Sequence, residues 1–353
     1  MHKKHLQNIS RTSQYKLDRS TFLRLDANER VIPFKKKVIK DLKNIVSNNI
    51  LQSYPSEPKN LIKKISKREK ISKNYINIVP GSDSAIKFIF ENFSGSKLKL
   101  VTIYPTYGMI DVYAKVYQLK LEKINENKIE SFLLVDKNYK RKALIYIANP
   151  NQPSGRLIDK YVIEKIIKKS NSKNIPIIID EAYIDFTNQK SCSNLVKKYK
   201  NLIVLKTLSK SIGIAGLRIG YVICSKKFST AINSVRSIFD VTHFSIKVAE
   251  YFLSNKRIIE NYLKEIKNTK KFVKAECEKR KLKYLNTQAN FFYIFLKSSS
   301  ANRIYKFLRH KKILVKSKYT KGFKVLNNSL RMTYGSKKQI SYFFKQFDKI
   351  YSR

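Results

Sequence analysis

Two apolar runs in the middle of the chain end in residues whose side chains could do chemistry. The run IPIIID ends at Asp180, and the run NLIVLKT ends at Thr207, three residues before Lys210. Arg218 follows, just ahead of the apolar run IGYVIC. Ligands of open α/β sheets bind beyond the carboxyl ends of the strands, along one edge. We therefore expect an acid, a hydroxyl, an amine and a guanidinium to face one crevice.

The surroundings of Lys210 favour a reactive amine over an ordinary surface charge. The residue follows an apolar run and precedes SIGIAGLRIGY, in which Arg218 is the one charged residue. Desolvation and a nearby arginine would lower the pKa of the lysine, so that its free amine could form a Schiff base. A lone lysine is usually a solvated charge, but that alternative fits this apolar stretch poorly.

Asp180 lies at the end of a run that reads as a buried strand. An unpaired carboxylate is costly in such a place, and a protonated pyridine nitrogen would be a suitable partner for it. A helix N-cap or a structural ion pair remains the alternative interpretation of the isolated segment DEAY.

The other motifs argue against several kinds of site. The glycine spacing of IGIAGLRIG fits neither GxGxxG nor GxxxxGK[ST], which disfavours a dinucleotide-binding loop or a P-loop. Cys192, Cys224 and Cys277 lie far apart, so we expect small buried hydrophobic residues and no disulfide framework. The histidines form no HExxH pattern, and no metal site is expected.

The elements around these residues predict an α/β domain with a mainly parallel sheet covered by helices. Short apolar runs alternate with stretches of helical spacing, which is typical of parallel strands buried on both faces. Basic amphipathic helices are predicted at 38–51 and 57–70, before the sheet. Further helices are predicted between the strands, at 159–170 and 228–239.

The pattern changes near residue 255, where a smaller α+β unit is predicted to begin. A long polar helix at 255–281 leads into further strands and helices. Residues 1–37 contain little that could form a core of their own, so we expect this N-terminal segment to pack with the small domain. The predicted division is 1–37, a large domain at 38–254 and the small domain at 255–353.

The chain is strongly basic, with 74 lysines and arginines, 25 acidic residues and a formal net charge of +49. Such a charge can attract nucleic acids or anionic surfaces. However, Lys, Ile, Asn and Tyr, whose codons are rich in A and T, are all over-used. The basic runs are also spread along the chain instead of lying on one element. We therefore favour a compositional origin and expect no nucleic-acid partner.

The expected location is the cytoplasm. No stretch approaches the roughly 20 apolar residues that a membrane span needs. The basic start of the chain is not followed by the apolar core of a signal peptide. No membrane partner is expected.

Eight short segments occur in order and together resemble a known enzyme family. They are similar to the fold-type I pyridoxal-5′-phosphate (PLP) dependent aminotransferases of class I and II, and most closely to the histidinol-phosphate aminotransferase family. The resemblance implies an aspartate-aminotransferase-like fold, PLP as cofactor, and amino-group transfer between a small, phosphorylated amine and a 2-oxo acid such as 2-oxoglutarate. The segments are LDANER (25–30), YPSEP (54–58), PGSDSAI (80–86), YPTYGM (104–109), NPNQPSG (149–155), DEAY (180–183), TLSKSIGIAGLRIGY (207–221) and LRMTYG (330–335).

The resemblance also implies a role for each residue of the predicted cofactor site. Lys210 would bind PLP covalently and then act as general base and acid at the substrate carbon. Asp180 would keep the pyridine nitrogen protonated, and Tyr183 would hydrogen-bond the phenolic oxygen of the ring. Tyr107 would stack on the ring, and Gln152 would lie beside the same oxygen. The phosphate would be held by Thr207, Ser209 and Arg218, together with the backbone amides of Ser82 and Asp83 at the start of a helix.

The same resemblance implies a partner subunit and a substrate pocket. Tyr54 would reach the cofactor phosphate from the neighbouring subunit, which predicts a homodimer with its active sites at the interface. Arg331 would grip the anionic group of the substrate, because a guanidinium binds carboxylate or phosphate through two hydrogen bonds. Asn28 and Lys316 are further candidates for binding the substrate.

Three positions depart from the family pattern, and they leave the substrate open. Gln152 replaces the usual asparagine, Lys316 stands where a second arginine is common, and Arg30 stands where proline is common. Relatives of similar sequence act on other amino compounds, including intermediates of surface-polysaccharide or phosphonate biosynthesis, and some decarboxylate amino-acid phosphates. These activities are the alternatives to an aminotransferase of the histidinol-phosphate type. A basic nucleic-acid-binding protein that retains the fold is a third interpretation.

Overall fold

The computed structural model describes residues 4–7, 9, 17–95, 98–134, 143–296, 301–317, 326 and 328–351. Its strands are β1 (Leu23–Arg24), β2 (Ile76–Val79), β3 (Lys99–Tyr104), β4 (Lys120–Asn125), β5 (Ala143–Ala148), β6 (Ile177–Asp180), β7 (Leu202–Thr207), β8 (Gly220–Cys224), β9 (Tyr284–Asn286), β10 (Phe291–Phe295), β11 (Ile313–Leu314) and β12 (Ser329–Thr333). Its α-helices are α1 (Lys4–Gln7), α2 (Lys36–Lys43), α3 (Asn48–Gln52), α4 (Lys59–Glu69), α5 (Ser82–Asn92), α6 (Met109–Val116), α7 (Lys160–Asn171), α8 (Lys226–Ser234), α9 (His243–Ser254), α10 (Lys256–Lys279), α11 (Ala301–His310) and α12 (Lys337–Tyr351).

A seven-stranded sheet in the order β2-β8-β7-β6-β5-β3-β4 forms the centre of the large domain. The strands from β4 across to β7 are parallel, whereas β8 runs antiparallel to both of its neighbours. The predicted α/β class with a mainly parallel sheet is therefore confirmed. As a result, the carboxyl ends of β3, β5, β6 and β7 and the start of β8 lie at one edge of the sheet.

The sheet is buried on both faces, and β5 illustrates why its strands are almost continuously apolar. On one face, Ile145 and Ile147 belong to the same core as Ile166 of α7. On the other face, Leu144 and Tyr146 belong to a second core that includes residues of α5 and α6. Alternate residues of a strand point to opposite faces, so a strand covered on both sides needs apolar residues throughout.

A separate core lies in the C-terminal part of the chain. Strands β9, β10 and β12 form an antiparallel sheet, and helices α10, α11 and α12 pack on it. Strand β1 pairs with β11 in parallel, and Leu25, Val31 and Ile32 belong to this same core. These contacts support the division at 1–37, 38–254 and 255–353, which we keep as a proposal.

Two predicted helices have different bounds in the structure. The helix expected at 38–51 is broken, because α2 ends at Lys43 and Ser47 caps a new helix by accepting the N–H of Ile50 at 3.4 Å. The helix expected at 228–239 ends at Ser234. Beyond it, Arg236 binds the carbonyl of Ile78 at 2.6 Å and the carboxylate of Asp240, and these bonds hold the chain in a turn.

The three cysteines are buried and free, as expected. Within the part of the chain that the structure describes, no helix is long and apolar enough to cross a bilayer.

Candidate active site

A cavity of about 250 Å³ opens at the edge of the sheet where the parallel strands end. It brings together the predicted acid, amine and guanidinium. Glu29 and Tyr146, which the sequence reasoning did not single out, also line it. The predicted residues that line the cavity are Ser82, Asp83, Tyr107, Gln152, Asp180, Tyr183, Thr207, Ser209, Lys210 and Arg218.

Close packing of three backbone segments forms the floor of this cavity. In the sheet register Gly220 lies opposite Thr207 on one side and Val79 on the other. A Cβ at Gly220 would lie 2.6 Å from the carbonyl oxygen of Lys206 and 3.2 Å from the nitrogen of Ser82. Glycine is therefore required here, since any side chain would push the start of α5 away from β7.

Asp180 is the last residue of β6 and is almost completely buried. Its Oδ2 accepts a hydrogen bond from Tyr146 Oη at 2.8 Å, and its Oδ1 accepts the N–H of Ala182 at 3.1 Å. Burial raises the pKa of the Asp180 carboxyl to about 6, although both hydrogen bonds oppose the shift. A cationic partner in the cavity would favour the ionised form.

Lys210 faces the same cavity from the turn after β7. Burial lowers the pKa of its amine to about 8, and the positive charge of Arg331 adds to this effect, whereas Glu29 opposes it. Lys210 Nζ lies 5.7 Å from the centre of the Tyr183 ring. A large share of the amine is therefore neutral near pH 8, which is the nucleophilic form.

Tyr183 connects two polar residues at the side of the cavity. Its hydroxyl donates to Gln152 Oε1 at 2.7 Å and accepts from Asn28 Nδ2 at 3.1 Å. Burial raises the pKa of the Tyr183 hydroxyl to about 12, so it stays protonated. The longer side chain of Gln152 thus reaches the tyrosine and holds it in place.

An anion-binding end is built from the start of α5 and Arg218. Gly81, with a φ of 84°, precedes Ser82, the first residue of the helix. A Cβ at Gly81 would lie 3.0 Å from Arg218 Nη2, so the guanidinium covers this glycine closely. Free N–H groups at a helix start and a guanidinium are both favourable for a phosphate.

Tyr107 is held at the cavity wall by Asp83. The Asp83 carboxylate accepts hydrogen bonds from Tyr107 Oη at 3.1 Å and from Tyr113 Oη at 2.8 Å. Burial raises the pKa of the Tyr107 hydroxyl well above its usual value. The Asp83 side chain thus fixes an aromatic ring at the cavity and is itself a binding partner of two tyrosines.

Arg331 lies on β12, next to the cavity. Of the charged groups around Lys210, it has the largest effect on the pKa of the amine, which it lowers. Its Nη2 donates to the carbonyl of Asp26 at 2.7 Å, and its Nε has no hydrogen-bond partner among the described residues. The backbone of Lys316 pairs with that of Arg331. Burial, and then Arg331, lowers the pKa of the Lys316 amine.

Tyr54 does not line the cavity of its own chain. It is 77% exposed and stacks on Phe239, with ring centroids 4.4 Å apart.

The sequence did not predict two residues of the cavity lining, Tyr146 and Glu29. Tyr146 reaches Asp180 because Ala148 lies opposite Asp180, so that Tyr146 is on the same face two residues earlier. The available signal was a tyrosine inside the otherwise apolar run ALIYIA. Glu29 directly follows Asn28 in the segment LDANER, and its carboxylate is bound by Arg19 at 2.8 Å.

The site fits PLP on observations independent of any relative. The Asp180 carboxylate and the Lys210 amine line one cavity, so a single ring could lie between them. The start of α5 and Arg218 form a phosphate-binding end. The unpartnered Nε of Arg331 points to a further anionic group.

Comparison with known proteins gives the same assignment. The family model for aminotransferase class I and II matches residues 15–347. Histidinol-phosphate aminotransferase of Clostridium novyi (strain NT) is 32% identical over 331 residues, which cover 90% of this chain and 88% of that protein.

Two solved structures share the fold. Histidinol-phosphate aminotransferase from Sinorhizobium meliloti, in complex with pyridoxal-5′-phosphate, has a TM-score of 0.85 at 18% identity, over 99% of this chain and 97% of that chain. A Thermus thermophilus aspartate aminotransferase mutant has a TM-score of 0.77 at 14% identity, over 99% of each chain. The chain therefore belongs to the class I and II aminotransferases, the PLP-dependent transaminases with the aspartate-aminotransferase-like fold.

Proposed function

We propose that this chain is an aminotransferase of the histidinol-phosphate type. It would move an amino group between a small phosphorylated amine and a 2-oxo acid such as 2-oxoglutarate. The observation that carries the proposal is the placement of Asp180 and Lys210 in one cavity with an anion-binding helix start. The identity of 32% with a histidinol-phosphate aminotransferase supports the choice of substrate class.

In this proposal the residues around the cavity hold PLP in one orientation. Asp180 would bind the pyridine nitrogen, and Tyr183 and Gln152 would lie beside the phenolic oxygen. Tyr107 packs against the ring. The phosphate would be held by Thr207, Ser209 and Arg218, together with the backbone amides of Ser82 and Asp83. When bound, PLP supplies an electron sink for the negative charge at the substrate carbon.

Lys210 is the proposed catalytic residue for proton transfer. Its pKa of about 8 allows the amine both to take a proton from the substrate carbon and to return it near neutral pH. Tyr183 and Asp180 are the other catalytic residues of the proposal. With PLP bound, the ionised Asp180 carboxylate would stabilise positive charge on the ring nitrogen. The Tyr183 hydroxyl, which donates to Gln152 in this structure, would turn to donate to the ring oxygen.

Assays with a panel of amino donors and glutamate test the reaction type. A phosphorylated amino alcohol such as histidinol phosphate is expected to give the fastest turnover with 2-oxoglutarate. Release of CO₂ from an amino-acid phosphate, without reloading of the cofactor by glutamate, would contradict transamination and favour a decarboxylase.

Arg331 is proposed to bind the anionic group of the substrate, with Asn28 and Lys316 beside it. A charged hydrogen bond contributes about 1.5–3 kcal/mol, so Arg331→Gln should raise KM for the phosphorylated donor by about 10- to 100-fold. Lys316→Gln should have a smaller effect, because an ammonium lacks the two-pronged geometry of a guanidinium. Steady-state kinetics check both variants. An unchanged KM in Arg331→Gln would place the anion elsewhere.

The pKa of Asp180 predicts how PLP binding depends on pH. Burial raises this pKa to about 6, so the carboxyl is protonated below that pH and loses its attraction for the ring nitrogen. The affinity for PLP should therefore fall as the pH drops through 6, by up to about tenfold per pH unit. Titrations of wild type and Asp180→Asn at several pH values measure this. The ionisation of the cofactor phosphate affects both proteins equally, so a fall of the same size in both would contradict the role of Asp180.

We also propose a homodimer in which Tyr54 acts on the site of the other subunit. The exposed ring of Tyr54 in the single chain supports this. Hybrid dimers of one Tyr54→Ala subunit and one Lys210→Ala subunit test this proposal. If Tyr54 acts across the interface, the site that has Lys210 receives the intact Tyr54 of the other subunit, so one site of each hybrid is complete. Activity should then reappear on mixing. Continued inactivity of the mixture would assign Tyr54 to its own chain, and sedimentation would show whether a dimer exists.

A cytoplasmic location and the absence of a nucleic-acid partner remain parts of the proposal. The even spread of basic residues along the chain supports the second point. Binding to nucleic acid with a steep dependence on salt would contradict it.

A further inference from the structure

A network of charged side chains lies outside the cavity lining and is used by none of the roles above. Lys206 Nζ is 3.0 Å from Glu181 Oε2 and 3.4 Å from Glu69 Oε2. Tyr221 Oη donates to Glu69 Oε1 at 2.7 Å. All four residues are buried. Lys206 precedes the last residue of β7, so this part of the network lies just ahead of the turn that carries Lys210.

Two further residues connect the network to the other side of that turn. Arg68 Nη2 binds Asp185 Oδ2 at 2.7 Å, and its Nε is 3.7 Å from Glu69 Oε1. Ser211 Oγ donates to the same Asp185 oxygen in a very short hydrogen bond. Ser211 directly follows Lys210 and is buried. The network therefore holds the chain both before and after the lysine.

The same network includes the residue after Asp180. The Glu181 carboxylate accepts the N–H of Cys192 at 2.7 Å and the hydroxyl of Ser191 at 2.5 Å. Asp185 lies in the short 3-10 helix Ile184–Phe186 that follows. The turn with the acid and the turn with the amine are thus joined through one set of contacts between buried and half-buried side chains.

Buried ion pairs of this kind contribute little net stability, because the desolvation of each charge offsets their attraction. They do restrict geometry, since any displacement leaves a buried charge without its partner. We propose that Asp185 is a positioning residue for Lys210, and that it acts through the hydroxyl of Ser211. This inference rests on the assignment of Lys210 as the cofactor lysine in the proposed function.

The bond from Ser211 to Asp185 fixes the backbone next to Lys210 and so keeps its amine in the desolvated cavity. Without that bond the turn loosens, water reaches the amine, and the pKa of Lys210 rises toward its usual value. The groups that face Lys210 from the surrounding elements are Arg331, Glu29, Arg218, Asp180 and the ring of Tyr183.

Acylation of lysines in the full-length chain, freed of cofactor, tests this proposal. Labelling with acetic anhydride over a range of pH, followed by digestion and mass spectrometry, gives the pH at which Lys210 reacts at half its maximal rate. This midpoint is expected near 8 in the wild type. In Ser211→Ala, which changes no charge, it should rise by about one pH unit.

Asp185→Ala removes both the acceptor of the Ser211 hydroxyl and the negative charge, and it separates positioning from a simple charge effect. Loss of a negative charge alone would lower the pKa of a nearby lysine. Loss of positioning would raise it, so both variants should shift the Lys210 midpoint upward.

Two other residues of the chain, Ser170 and Lys270, serve as controls. Ser170→Ala removes a buried hydroxyl that donates to the carbonyl of Ile166 at 2.8 Å, and should leave Lys210 unchanged. Lys270, whose pKa burial also lowers to about 8, donates to the carbonyl of Thr287 and reports on general loosening of the fold.

Three results would overturn the inference: an unchanged Lys210 midpoint in Ser211→Ala, a downward shift in Asp185→Ala, or a parallel shift of Lys270. Borohydride reduction of the wild-type holoenzyme distinguishes a failure of the Asp185 inference from a failure of the proposed function. If the cofactor adduct maps to another lysine, the proposed function itself is wrong.

Discussion

Replacement of Lys210 by alanine is expected to abolish transamination and the covalent attachment of PLP. Acid–base catalysis by a positioned side chain contributes about 10²- to 10⁴-fold, so kcat should fall by at least this factor. The fold should persist, because the substitution removes an amine whose charged form is disfavoured by burial. Single-turnover kinetics measure the loss of catalysis, and thermal unfolding measures whether the fold persists.

Lys270→Ala is the matched control for this variant. Lys270 is also a half-buried lysine with a pKa lowered to about 8, but it lies on α10 and donates to the carbonyl of Thr287. Its loss should leave kcat close to that of the wild type. If Lys210→Ala were as active as Lys270→Ala, another residue would carry the proton transfer.

Asp180→Asn is expected to retain PLP but to lose most of its catalytic rate. Asparagine preserves the shape of the side chain, yet it cannot stabilise a positive charge on the ring nitrogen. Removal of one preorganised electrostatic group costs about 10²- to 10³-fold in kcat, and we expect a loss of this size. Absorbance spectroscopy would measure the bound cofactor. The value of kcat would measure the effect of losing the negative charge beside the ring nitrogen.

Tyr146→Phe offers a milder change at the same carboxylate. The Tyr146 hydroxyl donates to Asp180 at 2.8 Å and lowers the pKa of that carboxyl, so its removal should raise this pKa from its value of about 6. The acid limb of the pH–rate profile should therefore move to higher pH, with a smaller loss of kcat at its plateau. A larger loss in Tyr146→Phe than in Asp180→Asn would contradict the assigned order of importance.

The sequence was sufficient to predict the α/β class and most of the cavity lining. The reason is physical: reactive residues that follow apolar strands, such as Asp180 and Lys210, must meet at the carboxyl edge of a parallel sheet. Ordered motifs along the whole chain then identified the family. The sequence predicted the bounds of the helices less well, because Ser47 starts a new helix inside a continuous amphipathic pattern.

Contacts between distant parts of the chain could not be predicted in this way. The link from Glu69 to Lys206 joins α4 to β7, and the bond from Arg68 to Asp185 joins α4 to the turn after β6. Each residue alone reads as one more surface charge in a highly charged sequence. Their burial follows from tertiary packing, which local patterns do not contain.

The most direct test of the central claim is borohydride reduction of the purified protein, followed by tryptic digestion and mass spectrometry. Reduction makes the bond between PLP and its lysine permanent, so the modified peptide identifies the residue. The expected result is a single pyridoxyl adduct on Lys210, in the peptide TLSKSIGIAGLR that begins at Thr207 and ends at Arg218. Trypsin leaves this peptide whole, because it does not cleave after a modified lysine. An adduct confined to a different lysine, or none with PLP present, would contradict the account.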